Sequence, residues 1–183
     1  MANLNAPRGF IPIKSASGGA HVAVNYYTYA SNATRIGKGD LLVLTSGGGV
    51  AKETSAVAVG PWIGVVMCDS GVISAQGTIP VCDDLNQIYE VQGPSATLAL
   101  TDLNRIVKVD ASAAANSSTG LSGAKLTNTA ATASNGVRIL RLSPTPGNAF
   151  GAYQKLEVKL NSTNSAQAIL AFNWKDEIKL YGT

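Results

Sequence analysis

Charge is scarce in this chain. Lys, Arg, Asp and Glu make up 14% of its 183 residues, against roughly 25% in an ordinary soluble domain. Ser, Thr, Asn and Gly must therefore supply much of the polar surface. That suits a turn-rich β protein, or one that ends up against other protein, better than a free cytosolic enzyme. The 14 basic and 11 acidic residues leave a net charge of +3. No basic run concentrates it: Arg8, Arg35, Lys38, Lys52, Arg105 and Lys108 are dispersed along the sequence. Nucleic-acid binders generally carry a basic patch, because neutralising phosphates supplies most of their affinity. No nucleic-acid partner is expected.

Histidine occurs once, as His21, and cysteine twice, as Cys68 and Cys82. A zinc site would need all three together, and no pair of them has ligand spacing, so no metal is expected. Both cysteines sit in apolar, strand-like stretches and read as free buried thiols. A disulfide would require an oxidising compartment. The opening Met1-Ala-Asn-Leu-Asn-Ala-Pro7 has neither the basic nor the apolar region of a signal peptide. On that reading the Asn-x-Ser/Thr triplets at Asn32, Asn116 and Asn161 are not glycosylated. No stretch approaches the ~18 consecutive apolar residues of a membrane span. The expectation is a chain that stays in a cytoplasm until it is assembled.

Catalytic parts are missing too. A phosphate-binding loop ending at Lys52 would need Gly at 46 and 51 and Ser or Thr at 53. The chain has Ser46, Ala51 and Glu53. Gly120-Leu-Ser122-Gly123 lacks a spacer residue of the nucleophile elbow. Asp83-Asp84 is the only pair of adjacent aspartates. Strand neighbours point to opposite faces, so these two read as a solvated turn. With no acid–base pair and no activated nucleophile, neither enzymatic activity nor a cofactor is expected.

What the chain does contain is short β-type runs between turn signals. Strands are expected at Val22–Tyr29, Leu41–Thr45, Trp62–Met67, Thr78–Val81, Ile88–Val91, Ile106–Val109, Val137–Leu142 and Leu156–Leu160. The last alternates Leu156, Val158 and Leu160 with Glu157 and Lys159, as a half-buried strand requires. Gly37-Lys-Gly-Asp40, Ser46-Gly-Gly-Gly49 and Pro144-Thr-Pro-Gly-Asn148 are turn chemistry. Many short strands without amphipathic helices between them predict an all-β barrel or sandwich. Asp84-Leu-Asn-Gln-Ile88 echoes Asp102-Leu-Asn-Arg-Ile106, which predicts two similar turn-to-strand entries. Residues 111–136, low in complexity, read as long surface loops around one short strand.

Both ends read as arms. Residues 1–20 carry Pro7, Gly9, Phe10 and Pro12, which favour extended backbone. Residues 21–164 form the core domain, and 165–183 are a carboxy-terminal extension. Residues 161–183 carry Ile169, Leu170, Phe172, Trp174, Ile178, Leu180 and Tyr181. An apolar end of that kind needs a surface to lie on.

Taken in order, several stretches resemble a family of tailed-bacteriophage head decoration, or cement, proteins. They are Ala6-Pro-Arg-Gly-Phe-Ile-Pro12; Gly39-Asp-Leu-Leu-Val-Leu44 followed by Ile63-Gly-Val-Val66; Thr101-Asp-Leu-Asn-Arg105; the Gly120-Leu-Ser-Gly123 turn; Arg138-Ile-Leu-Arg-Leu142; Pro146-Gly-Asn148; and Val158-Lys-Leu-Asn161. The resemblance covers about residues 2–164. Where the family usually has acidic-Ile-Gly, this chain has Asp102-Leu-Asn104, which Asn tolerates because it also adopts the left-handed conformation. Family members often end soon after the last of these strands, and this chain continues to Thr183.

The resemblance implies a small β-barrel or β-tulip-like domain with extended arms, sitting on the outer capsid of a virion, often as a homotrimer. Its partner would be the major capsid protein, with contacts expected from Arg8, Phe10 and Pro12 at one end and Leu170, Phe172, Trp174 and Tyr181 at the other. Two other readings compete. One is another virion component, such as a tail-tube or neck protein. The other is a carbohydrate-binding module using Tyr26, Tyr27, Tyr29 and Trp62 as a stacking platform.

Overall fold

Leu41-Leu42, Val65-Val66 and Val81-Cys82 are adjacent apolar pairs in which both members are buried. Neighbouring strand residues point to opposite faces, so these strands must be covered on both sides. The computed structural model shows how; it describes residues 3–18, 22–29, 32–73, 76–84, 86–131 and 136–161. The chain is all-β, with thirteen strands among the described residues. β2 (Asn25–Tyr29), β5 (Val50–Lys52), β4 (Leu41–Leu44), β6 (Gly64–Val66) and β8 (Gly77–Cys82) close into a barrel in that order. Its interior holds Leu42, Val50, Ile63, Val66, Ile79 and Val81.

Against one wall of the barrel lies a six-stranded antiparallel sheet. Its order is β1 (Ile11–Ser15), β9 (Gln87–Gln92), β13 (Lys155–Leu160), β12 (Val137–Leu142), β10 (Ile106–Asp110) and β11 (Lys125–Ala130). The larger core forms between the two layers. Tyr89, Val91, Val107, Val109, Val137, Ile139, Leu156 and Val158 come from the sheet; Leu41, Val65 and Cys82 come from the barrel; Phe10, Trp62 and Leu98 fill the gaps. Fully burying one large apolar side chain is worth about 1.5–3 kcal/mol, so this shared core couples the layers. A separate pair, β3 (Asn32–Ile36) with β7 (Gly71–Ile73), completes the fold. No helix of the described residues is long and apolar enough to cross a membrane.

The turn chemistry holds. Asn148 N–H donates to the Thr145 carbonyl at 3.1 Å, and Gly48 N–H to the Thr45 carbonyl at 3.1 Å. The Asp-Leu-Asn echo is structural as well: Gln87 N–H donates to Asp84 O at 3.0 Å, and Arg105 N–H to Asp102 O at 3.2 Å, each leading into a strand. Asn104 takes φ 64°, the left-handed conformation expected where the resembling family has Gly.

The amino-terminal arm is extended but docked on its own domain. β1 pairs antiparallel with β9 along the sheet edge, and Ala6 N–H donates to Gln92 Oε1 at 2.8 Å. Pro12 disguises this strand in the sequence, since proline is confined to edge strands and bulges. The pairing register shifts between Pro12 and Lys14, beside the proline.

Candidate functional site

Three of the resemblance-bearing stretches converge on one junction. Gly9, at φ 68°, lies so close to Gly39 and Ser122 that a Cβ on it would sit 2.5 Å from the Gly39 carbonyl oxygen and 2.5 Å from Ser122 Cβ. Phe10 N–H donates to that carbonyl at 3.0 Å. Beneath it Asp40 is fully enclosed. Its carboxylate accepts from Lys52 Nζ at 3.0 Å, from Gly37 N–H at 2.8 Å and from the Ser122 hydroxyl. Lys52 also donates to the Ala113 carbonyl at 3.1 Å. A buried charge is tolerable only when paired and hydrogen-bonded, and here both members are. The two sequence features closest to catalytic motifs, Lys52 after the glycine run and Ser122 in its Gly-rich turn, are thereby occupied in tying β4 and β5 to the 111–124 loop.

Beside the junction, residues 3–8 form one bank of an open groove of about 480 Å³. Leu4, 81% exposed, faces Pro146, Gly147 and Tyr153, with Arg8 and Lys155 at the rim. Asn3 Nδ2 anchors its bank by donating to the Ala149 and Ala152 carbonyls, both at 2.9 Å. Asn148 organises the other, donating to the Ser143 and Lys155 carbonyls and accepting from Lys155 N–H. Tyr153 sits at φ 58°. That conformation costs an aromatic residue about 1–3 kcal/mol, and a hydrogen bond from its N–H to Pro94 O at 2.9 Å holds it there.

The solvent face of the sheet adjoins this groove and gathers charges that lie far apart in the sequence. Glu90 and Glu157 lie directly opposite each other on β9 and β13. Like charges in that position repel, so each needs cations. Arg141 forks onto Glu157 at 2.7 and 2.9 Å, and Lys14 reaches it at 3.2 Å. Arg8 approaches Glu90 at 3.8 Å, while the Ser143 and Thr145 hydroxyls donate to it. Burial pushes the Glu157 carboxyl upward, but Arg141 and Lys14 outweigh it and hold the group below its ordinary range. Arg138, Lys155 and Lys159 occupy the same face by register. These cations come from sequence-distant strands, so no local run announced them.

Other polar candidates are engaged structurally. Asp83 accepts from Asn25 and from the Tyr27 hydroxyl at 2.6 Å, whereas Asp84 accepts from Ser15 Oγ and Asn86 N–H. The adjacent pair therefore faces different partners. Burial, reinforced by Asp83, raises the Tyr27 phenol. Cys82 is buried and Cys68 half-buried, both as free thiols, and burial raises both of their pKa values. Among the described residues no group of three His, Cys, Asp or Glu side chains could hold a metal ion. The four-ring sugar platform is not assembled: Trp62 lies in the core, Tyr27 and Tyr29 pack against the barrel core, and Tyr26 stands out alone at 74% exposure.

Of the expected contact residues, Arg8 is half-exposed at the groove rim and Pro12 is half-buried in β1. Phe10 has to be corrected. It is 1% exposed and packs edge-on against Tyr89, ring centroids 6.1 Å apart, so it is a core residue and no partner can touch it. Leu170, Phe172, Trp174 and Tyr181 lie outside the described residues, as does His21. The groove residues Leu4 and Tyr153 escaped the sequence reading; Tyr153 had no signal, because its role depends on a backbone conformation.

Compared with family models, with characterised proteins and with solved structures, the chain matches none.

Proposed function

We propose that this chain is a structural virion protein that binds the outside of a phage head and cements adjacent capsomers of the major capsid protein. The observation carrying the reading is the junction at Gly9, Gly39 and Ser122. Stretches far apart in sequence, each part of the resemblance to head decoration proteins, meet there in van der Waals contact. Among the polar groups most suggestive of chemistry, Asp40, Lys52 and Ser122 are consumed in holding that junction. Among the described residues, a rimmed groove and a charged sheet face stay open to a partner, the equipment of a docking module.

The test is reconstitution. Purified chain is mixed with DNA-filled heads lacking it, and both occupancy and the temperature of DNA release are measured. The reading expects saturable binding and a higher release temperature. Heads that stay bare at saturating protein would refute it. A tail-tube or neck component would instead co-sediment with tails and leave the shell undecorated.

A further inference from the structure

We infer that the solvent face of β1, β9, β13 and β12 is a docking surface for an acidic protein surface. The inference rests on the proposed capsid role for the identity of that partner. Register puts Lys14, Ile88, Lys159 and Arg138 in one row across four adjacent strands, and Ile11, Glu90, Glu157 and Arg141 in the next. Lys155 follows beside Gln92, and Arg8 reaches in from the groove rim. Six cations (Arg8, Lys14, Arg138, Arg141, Lys155 and Lys159) thus surround two carboxylates (Glu90 and Glu157), an excess of four positive charges in a chain whose total is +3. The remainder of the molecule is slightly negative. Neighbouring strands are only ~4.8 Å apart, closer than the ~8 Å screening length at physiological salt, so these charges act as one field and orient an approaching partner.

The same geometry selects among partners. A second copy meeting this face with its own would press like charges together, which costs affinity. Nucleic acid wants unopposed cations along a phosphate path. Here Arg8, Lys14 and Arg141 are already committed to Glu90 and Glu157, so half of the cations on the face are opposed and no continuous phosphate path is offered. Arg138, Lys155 and Lys159 have no ion pair among the described residues, Lys159 Nζ donating only to the neutral Asn86 Oδ1 at 3.1 Å, and their charges are left to meet a partner's carboxylates. Ile11, at the β1 end of the second row, and Leu140, between Arg138 and Arg141 on β12, are half-buried and supply the apolar contact that a protein interface uses. The groove continues the surface past Arg8 and Lys155 and can take one apolar side chain of the same partner.

Matched charge reversals on the full-length chain test this. Arg138→Glu changes the proposed face, and Lys38→Glu changes net charge equally at an exposed position outside it. Each is titrated against poly-L-glutamate and against duplex DNA, after thermal melting has shown that it folds. Should Arg138→Glu unfold, Lys159→Gln takes its place, matched with Lys38→Gln. The expected result is about fivefold weaker poly-L-glutamate binding for the face variant, with Lys38→Glu within about twofold of the parent. Equal loss in both variants reduces the effect to net charge and overturns the inference. Tighter, Arg138-dependent binding to DNA also overturns it, in favour of a nucleic-acid partner. On heads, full decoration by Arg138→Glu would sink the face assignment and leave the cementing role standing. Arg138-dependent binding to poly-L-glutamate by a parent that ignores heads would uphold the face and refute the cementing role.

Discussion

At Gly9 a single methyl group has nowhere to go. The residue needs both a positive φ and the absence of a Cβ, because the Gly39 carbonyl and Ser122 Cβ are backed by the buried Asp40 network. Gly9→Ala should cost about 2–4 kcal/mol in chemical denaturation. Gly47→Ala, where an added Cβ meets nothing within 4 Å, should stay close to the parent. The cysteines make a second residue-scale prediction. Burial raises both thiols, so at neutral pH the reactive thiolate is rarer than in a free peptide. Ellman's reagent should leave Cys82 unlabelled in the native protein, label Cys68 slowly, and titrate both on denaturation. Rapid native labelling of both would contradict their placement.

Among the elements, the Asp40–Lys52 pair and β1 carry the sharpest expectations. Lys52→Met leaves the Asp40 carboxylate enclosed without its cation, which should cost about 3–5 kcal/mol; Asp40→Asn in the same background should recover part of the loss. Phe10→Ala should cost about 3–5 kcal/mol as well, because Phe10 fills the core against Tyr89. A free arm would tolerate the change. Most of the barrel and sheet could be read from the sequence because β-branched runs such as Ile106–Val109 and Val137–Leu142 fall between turn residues. What hid β1 was Pro12. β5 is three residues long and follows a glycine run, so it gave no periodicity. β11 is the one short strand expected in the Ala/Ser/Thr/Asn-rich stretch, whose composition gave no periodicity to place it. β3 and β7 pair as a separate two-stranded sheet, and neither Asn32-Ala-Thr-Arg-Ile36 nor Gly71-Val-Ile73 alternates apolar and polar residues in sequence. The groove was still harder to read, since its banks, 3–8 and 145–155, meet only in the folded chain.

For the molecule as a whole, acid should be the weak side. Glu157, Asp69 and Asp102 all have carboxyls held below their ordinary values of 4.5 and 3.8. A depressed folded-state pKa contributes stability above the unfolded value, and that stability disappears as pH falls through the folded one. The melting temperature should therefore drop as pH goes below about 4, and Glu157→Gln should flatten that limb. An unchanged acid limb in the variant would show that the sheet-face network contributes nothing. The clustering of charge on this face was invisible in the sequence because strand register, not sequence proximity, brings the cations together. The most direct test of the account is the number of copies of this chain per major capsid protein in purified DNA-filled heads, measured by quantitative mass spectrometry. A fixed ratio set by the shell lattice is the predicted result; absence from the heads, or a ratio of a few copies per particle, would contradict it.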